Sequence, residues 1–120
     1  MPEKPLQFLG SSLNDLRDFP DAARRLAGHQ LHLVQHGLQP DDWKPMTTVG
    51  AGVTEIRVHT DVEHRVFYVA KFAEAVYVLH AFAKTTPQTR KADLDLGRHR
   101  YQELVHARQL RARAGRKRRR

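Results

Sequence analysis

The sequence predicts an α+β domain in which a short N-terminal strand and a helical hairpin precede a small antiparallel sheet and a closing helix. Three observations carry that prediction. Apolar residues recur at helical spacing between residues 21 and 36, three β-rich runs between 53 and 82 are joined by very short connections, and a second helical stripe follows residue 89. Helices grouped before strands, rather than alternating with them, argue for helices packed on one face of the sheet, with the other face left available.

Lys4-Pro5-Leu6-Gln7-Phe8-Leu9 reads as an edge strand, where Pro5 is tolerated because an edge needs fewer ladder donors. Ser11 or Ser12 is placed to cap a short helix through Leu13, Leu16 and Phe19, which Pro20 breaks while opening the next one. In that second helix Ala23, Leu26, Ala27, Leu31 and Val34 form one face, and Gly37 stands where a left-handed stop belongs. Pro40, Asp41, Asp42, Pro45, Gly50 and Gly52 then predict a loop over residues 38–52, with Trp43 and Met46 expected to pin it to the core.

The period changes after the loop. Val53–Thr60, Arg65–Phe72 and Ala75–Phe82 are rich in Val, Ile, Phe and Tyr, and their short connections admit only antiparallel hairpins. Thr89 is expected to cap a final helix, with Asp93 and Asp95 near its positive end and Leu94, Tyr101, Leu104 and Val105 as its buried stripe.

At 120 residues one folded unit is expected, spanning 1–107, with a basic and flexible tail over 108–120. The chain has no cysteine, which excludes disulfides and thiolate metal sites and fits a cytoplasmic protein. Neither a secretory leader nor an apolar run of membrane-spanning length is evident, so a soluble protein without a membrane partner is expected. The net charge of +8 is unevenly distributed: residues 108–120 hold eight basic side chains and no acidic one. Of the 21 Lys and Arg, the thirteen elsewhere balance all thirteen acidic residues, so the body is formally neutral. Such a tail, including Arg116, Lys117 and Arg118, attracts nucleic-acid phosphates by counterion release but performs no chemistry.

The chemistry is sought instead on the strands. Ile56 and Val58 alternate with Glu55, Arg57 and His59, giving one apolar and one charged side, and His80, Phe82 and Lys84 share a side of the third run. Pairing around the short turns lets Arg57, Arg65, Lys84, Glu55 and His80 converge on a patch suited to a phosphodiester. RNA cleavage by a 2′-hydroxyl needs positive charge where the phosphorane builds negative charge, and guanidinium forks fit phosphate oxygens in pairs. Arg57 and Arg65 fill that role. Glu55, His80 and Lys84 are the candidates for proton transfer, while Tyr68, Phe82 or Tyr101 offer rings on which bases stack.

Three ordered motifs, Glu55-Ile56-Arg57, Arg65-Val66-Phe67-Tyr68 and Leu79-His80-Ala81-Phe82-Ala83-Lys84, resemble the phage-derived branch of the RelE/HigB toxin superfamily over residues 4–105. The resemblance implies a RelE-like microbial ribonuclease fold. It also implies a type II toxin that cuts mRNA, commonly on the ribosome, and is silenced by a cognate antitoxin with a helix-turn-helix domain, in a complex that can assemble further. By motif, Arg57, Arg65 and Lys84 become phosphate-binding and catalytic residues, and Lys44 matches a frequent basic position. Two departures follow the third strand: Thr85 replaces a second lysine, and Gln88-Thr89-Arg90 replaces a Lys-Thr-Pro. The tail is placed to compensate for a lost phosphate contact.

Other signals are weaker. His29, His32 and His36 lie close together on the second helix but read as solvated, because no carboxylate or cysteine is seen to complete a metal site. Gly50-Ala51-Gly52 precedes a strand, unlike a nucleotide-binding loop, and Asp41, Asp42 and Asp61 do not form a two-metal nuclease pattern. Metal- and cofactor-independent cleavage is therefore expected, with noncatalytic RNA or DNA binding through the tail as the alternative.

Overall fold

The computed structural model describes residues 3–118, with side chains up to residue 116. In chain order the elements are β1 (Leu6–Phe8), α1 (Ser12–Arg17), α2 (Asp21–Gln35), β2 (Trp43–Pro45), β3 (Val53–His59), β4 (Glu63–Val69), β5 (Val76–Lys84) and α3 (Lys91–Arg118). They form an α+β fold around a five-stranded sheet in the order β1-β5-β4-β3-β2. Gly37 at φ 78° closes α2 as its position predicts, since left-handed backbone is nearly free of penalty only for glycine.

The sheet departs from the expected form in two respects. It is mixed, because β1 joins β5 in parallel while the remaining pairs are antiparallel. It contains β2, which lies inside the stretch read as loop: its three residues sit at the sheet edge, where Pro45 costs no interior hydrogen bond. Trp43 is 41% exposed at this edge, whereas Met46 is buried as expected.

Helices also cover both faces rather than one. Leu16, Phe19, Ala23, Ala27, Leu31 and Val34 of the helical hairpin pack on Ile56, Val58, Val66, Tyr68, Val76 and Val78. On the opposite face, Leu104 of α3, with Leu94 and Tyr101, packs on Phe67, Val69, Tyr77 and Leu79. The near-continuous apolar runs Val66–Val69 and Val76–Leu79 already carry this feature, because a strand buried on one side alternates and a strand buried on both does not.

α3 begins at Lys91, so Arg90 rather than Thr89 occupies the capping position, its carbonyl accepting from the Asp93 and Leu94 amides. The helix passes the 107/108 boundary without interruption. Arg108 anchors it there: its guanidinium donates to both Glu74 oxygens, at 2.7 and 3.1 Å, and lies 3.8 Å from the Phe72 ring centroid. The hydrogen bonds from Arg108 hold the Glu74 carboxyl down at about 2.

Close approach of α3 to the sheet depends on Gly97. A Cβ at this position would meet Phe67 Cδ2 at 3.0 Å and Val49 Cγ1 at 3.1 Å. Replacing Gly97 by Val should therefore lift the helix from the sheet and cost about 2 kcal/mol, read from urea unfolding.

Candidate active site

The strand register builds three cross-strand rows on the α3 side of the sheet. One row runs Lys44, Glu55, Phe67, His80 across β2 to β5; the next runs Arg57, Arg65, Phe82; the third runs His59, Glu63, Lys84. Residues directly opposite in an antiparallel pair point the same way, so the rows place ten side chains on one surface. The loop before β2 is held by Gln30 of α2, whose amide donates to Asp41 Oδ2 at 2.8 Å and accepts from the Asp41 amide at 2.7 Å. The Arg57 amide donates to the Asp42 carbonyl at 2.9 Å, which brings Asp42 to the end of the same surface.

A bulge in β5 makes the rows possible. Phe67 pairs with His80 but Tyr68 pairs with Val78, leaving Leu79 as the extra residue. Leu79 and His80 therefore both turn toward α3, and the Leu79 carbonyl, displaced from the ladder, accepts from Arg100 Nη1 at 2.9 Å.

At the centre two arginines stand directly opposite each other with one buried carboxylate between them. Arg57 Nε lies 3.3 Å and Arg65 Nε 3.7 Å from the same Glu55 Oε1. Glu55 and Arg65 are buried, while the Arg57 side chain is 34% exposed. Arg65 Nη1 also donates to Glu63 Oε1 and to the His64 carbonyl, both at 3.0 Å. Arg65 Nε has no hydrogen-bond partner among the described residues, a costly state for a buried charged donor. Lys84 is half-buried and Lys44 exposed, and neither ammonium has an ion-pair partner among the described residues.

His59 closes the outer end. Its Nδ1 lies 2.8 Å from Glu63 Oε1 and its Nε2 2.5 Å from Asp42 Oδ2. A neutral imidazole has one donor, so two carboxylates facing the two nitrogens favour the imidazolium. The Asp42 and Glu63 hydrogen bonds accordingly raise the His59 pKa, and the His59 contact lowers that of Glu63. At the inner end His80 Nε2 meets Asp93 Oδ1 at 2.7 Å, and its ring stacks on Phe82 with centroids 4.7 Å apart. Burial pushes the His80 pKa down, against the opposing effect of Asp93.

The surface thus brings together Glu55, Arg57, Arg65 and Lys84, with Lys44 at its edge. His80 lies beneath it, and Phe82 is packed edge-on to Phe67 at 5.1 Å. Tyr68 does not join them: it points to the opposite face and is buried under the helical hairpin, because it is the even-numbered neighbour in the alternation. Tyr101 is turned to Lys71 and the Ala51 carbonyl. Arg116 lies near the far end of α3, some 23 residues or about 35 Å along the helix from Asp93. The side chains of Lys117 and Arg118 lie outside the described residues. His59, Glu63, Asp42 and Asp93 were absent from the sequence-based site. Charge alternation marks His59, but its two carboxylate partners come from a loop and from a residue assigned to a turn.

Residues 14–102 match the family model described as Phage derived protein Gp49-like (DUF891). The chain belongs to this family. It is the RelE/HigB-type toxin family, and its match spans every element from α1 to the first half of α3, including all three rows. No curated protein matches the chain. Arg111, Arg113 and Arg116 of α3 lie beyond the matched residues.

Two outcomes follow from the geometry. Glu55→Gln should cost about 3 kcal/mol, because it leaves buried Arg65 without its central counter-charge, whereas Arg57→Ala should cost less than about 1 kcal/mol at its partly exposed position; urea unfolding separates them. His59 is held above its ordinary pKa, so its contribution is complete below about pH 6.5 and is lost as pH rises through the raised value. The stability difference between wild type and His59→Gln should therefore shrink between pH 6 and pH 9, from a starting value under about 1 kcal/mol because the group is half exposed.

Proposed function

We propose that this Gp49-like protein is the toxin of a toxin–antitoxin pair and acts as an endoribonuclease on mRNA engaged by the ribosome. The observation that supports this reading best is the opposed Arg57–Arg65 pair held on the single carboxylate of Glu55. Two guanidiniums fixed by a buried carboxylate form a preorganised seat for a phosphate whose charge grows during the reaction.

In this reading the RNA 2′-hydroxyl gives up its proton to solvent water as it attacks the adjacent phosphorus, forms a 2′,3′-cyclic phosphate and expels the 5′-oxygen. Arg57 and Arg65 hold the nonbridging oxygens, and Lys84 and Lys44 add positive charge from the rim. Glu55 orients the two arginines rather than reaching substrate, since its carboxylate is buried against them. Cationic His59 donates a proton to the leaving oxygen once its Asp42 or Glu63 contact exchanges for substrate, and His80 with Asp93 fixes the floor beneath Phe82. The charge needed at the phosphate comes from side chains, so cleavage is expected to proceed in excess chelator. The cellular setting is the cytoplasm, where mRNA and ribosomes are found, and the resting partner is a cognate helix-turn-helix antitoxin.

A second reading, binding without cleavage through the basic end of α3, is favoured by its distance from the arginine pair. Arg116 lies about 35 Å along the helix from Asp93, so that end reaches phosphates other than the one held between Arg57 and Arg65. In the nuclease reading that end adds affinity for long RNA without touching the reacting bond.

The test is induction in cells with mapping of RNA 5′ ends, paired with assays on free RNA and programmed ribosomes. The wild-type chain should arrest growth and create new ends. Arg57→Ala with Lys84→Ala should slow cleavage at least about a hundredfold and relieve the arrest while the protein stays folded. Arg65→Ala is the poorer variant, because it also strands buried Glu55. New ends at undiminished rate in the double variant would place the site elsewhere, and absence of any new ends in the wild type would favour the binding protein.

A further inference from the structure

We infer that Glu3, His32 and His36 form a binding site for a borderline divalent transition metal, best suited to zinc, that clips the N-terminal segment to the end of α2. One ligand atom from each side chain comes within 4.8 Å of the others. His32 and His36 are four residues apart on α2 and therefore lie on one face of the helix, with ring centroids 4.5 Å apart. Glu3 Oε2 stands 4.0 Å from His36 Nε2. Read along the sequence the histidines lacked a carboxylate; the fold supplies one from 29 residues upstream of His32.

The carboxylate is brought there by hydrogen bonds that do not involve its own side chain. The Lys4 amide donates to the Gln35 carbonyl at 3.0 Å, and the Gln35 side-chain amide donates back to the Lys4 carbonyl at 2.7 Å. Lys4 Nζ is anchored in turn on the Ala70 and Phe72 carbonyls at 2.6 and 2.9 Å. Glu3 thus leaves a strap fixed at the C-terminal end of α2, next to His36.

On a tetrahedral zinc with bonds of about 2.0–2.1 Å, ligand atoms stand about 3.3 Å apart, a contraction that exposed side chains make by rotamer adjustment. Two imidazoles and one carboxylate suit zinc, cobalt, nickel or copper, whereas magnesium and calcium require mostly oxygen donors. Three protein ligands leave a position for water, and the site lies on the helical-hairpin side of the sheet, away from the arginine pair. The clip adds a cross-link between the segment leading into β1 and α2, and so stabilises the folded state by mass action.

The test is calorimetric titration of untagged protein with zinc sulfate, with magnesium chloride as control, and with cobalt(II) to read coordination from its visible spectrum. One zinc per chain should bind, magnesium should not compete, and the melting temperature should rise with zinc. Glu3→Gln, His32→Ala and His36→Ala should each weaken zinc binding at least about tenfold, while His29→Ala leaves it unchanged. Zinc should also slow hydrogen exchange of the Lys4 amide in wild type but not in Glu3→Gln. Melting curves in EDTA should coincide for all variants, showing that each folds. No zinc binding at 100-micromolar-order concentrations, or binding that survives His32→Ala with His36→Ala, overturns the site; undiminished affinity in Glu3→Gln overturns the clip. None of these readouts depends on RNA cleavage.

Discussion

A single buried carboxylate decides whether the charged surface of this protein exists. Register places Arg57 directly opposite Arg65 on neighbouring strands, an arrangement that is destabilising between like charges. Glu55 Oε1 lies within ion-pair reach of both Nε atoms and offsets that repulsion from inside the fold. Burial makes the arrangement demanding: each ion is stripped of water, and only mutual attraction with well-placed hydrogen bonds compensates. Glu63 then serves Arg65, His59 serves Glu63, and Asp42 serves His59, so the chain of charges runs outward from one side chain to solvent.

The sheet supports this cluster through two irregular features. The bulge at Leu79 shifts the pairing of β5, so that His80, Phe82 and Lys84 stand beside Phe67, Arg65 and Glu63 while Tyr77 still reaches the core under α3. Gly97 lets α3 lie close on Phe67 just past Asp93, which keeps that carboxylate within reach of His80. The helix therefore covers the lower part of the face and leaves Arg57, Glu63, His59 and Lys44 at the open end. The basic residues at its other end are separated from that opening by most of the helix length, and the Arg108–Glu74 pair ties the helix to the body between them.

Periodicity and composition by themselves determined the helical hairpin, the three long strands, the neutrality of the body and the alternation that puts Glu55, Arg57 and His59 on one side. These are local properties: a period of two or 3.6 residues is written in consecutive positions, and an antiparallel turn of a few residues leaves little freedom. The three ordered motifs added the family, which the match over residues 14–102 bears out. The tertiary structure alone decided what meets across the chain. The parallel seat of β1 and the partners Asp42, Asp93 and Glu3 depend on residues distant in sequence, the placement of His80, Phe82 and Lys84 on a β4–β5 register that one bulge resets, and the pairing of Arg57 with Arg65 on the register of the β3–β4 hairpin. Glu55 shows the division most plainly. Its side of the strand follows from alternation, but its role as the shared counter-charge follows only when a second strand brings Arg65 to the same oxygen.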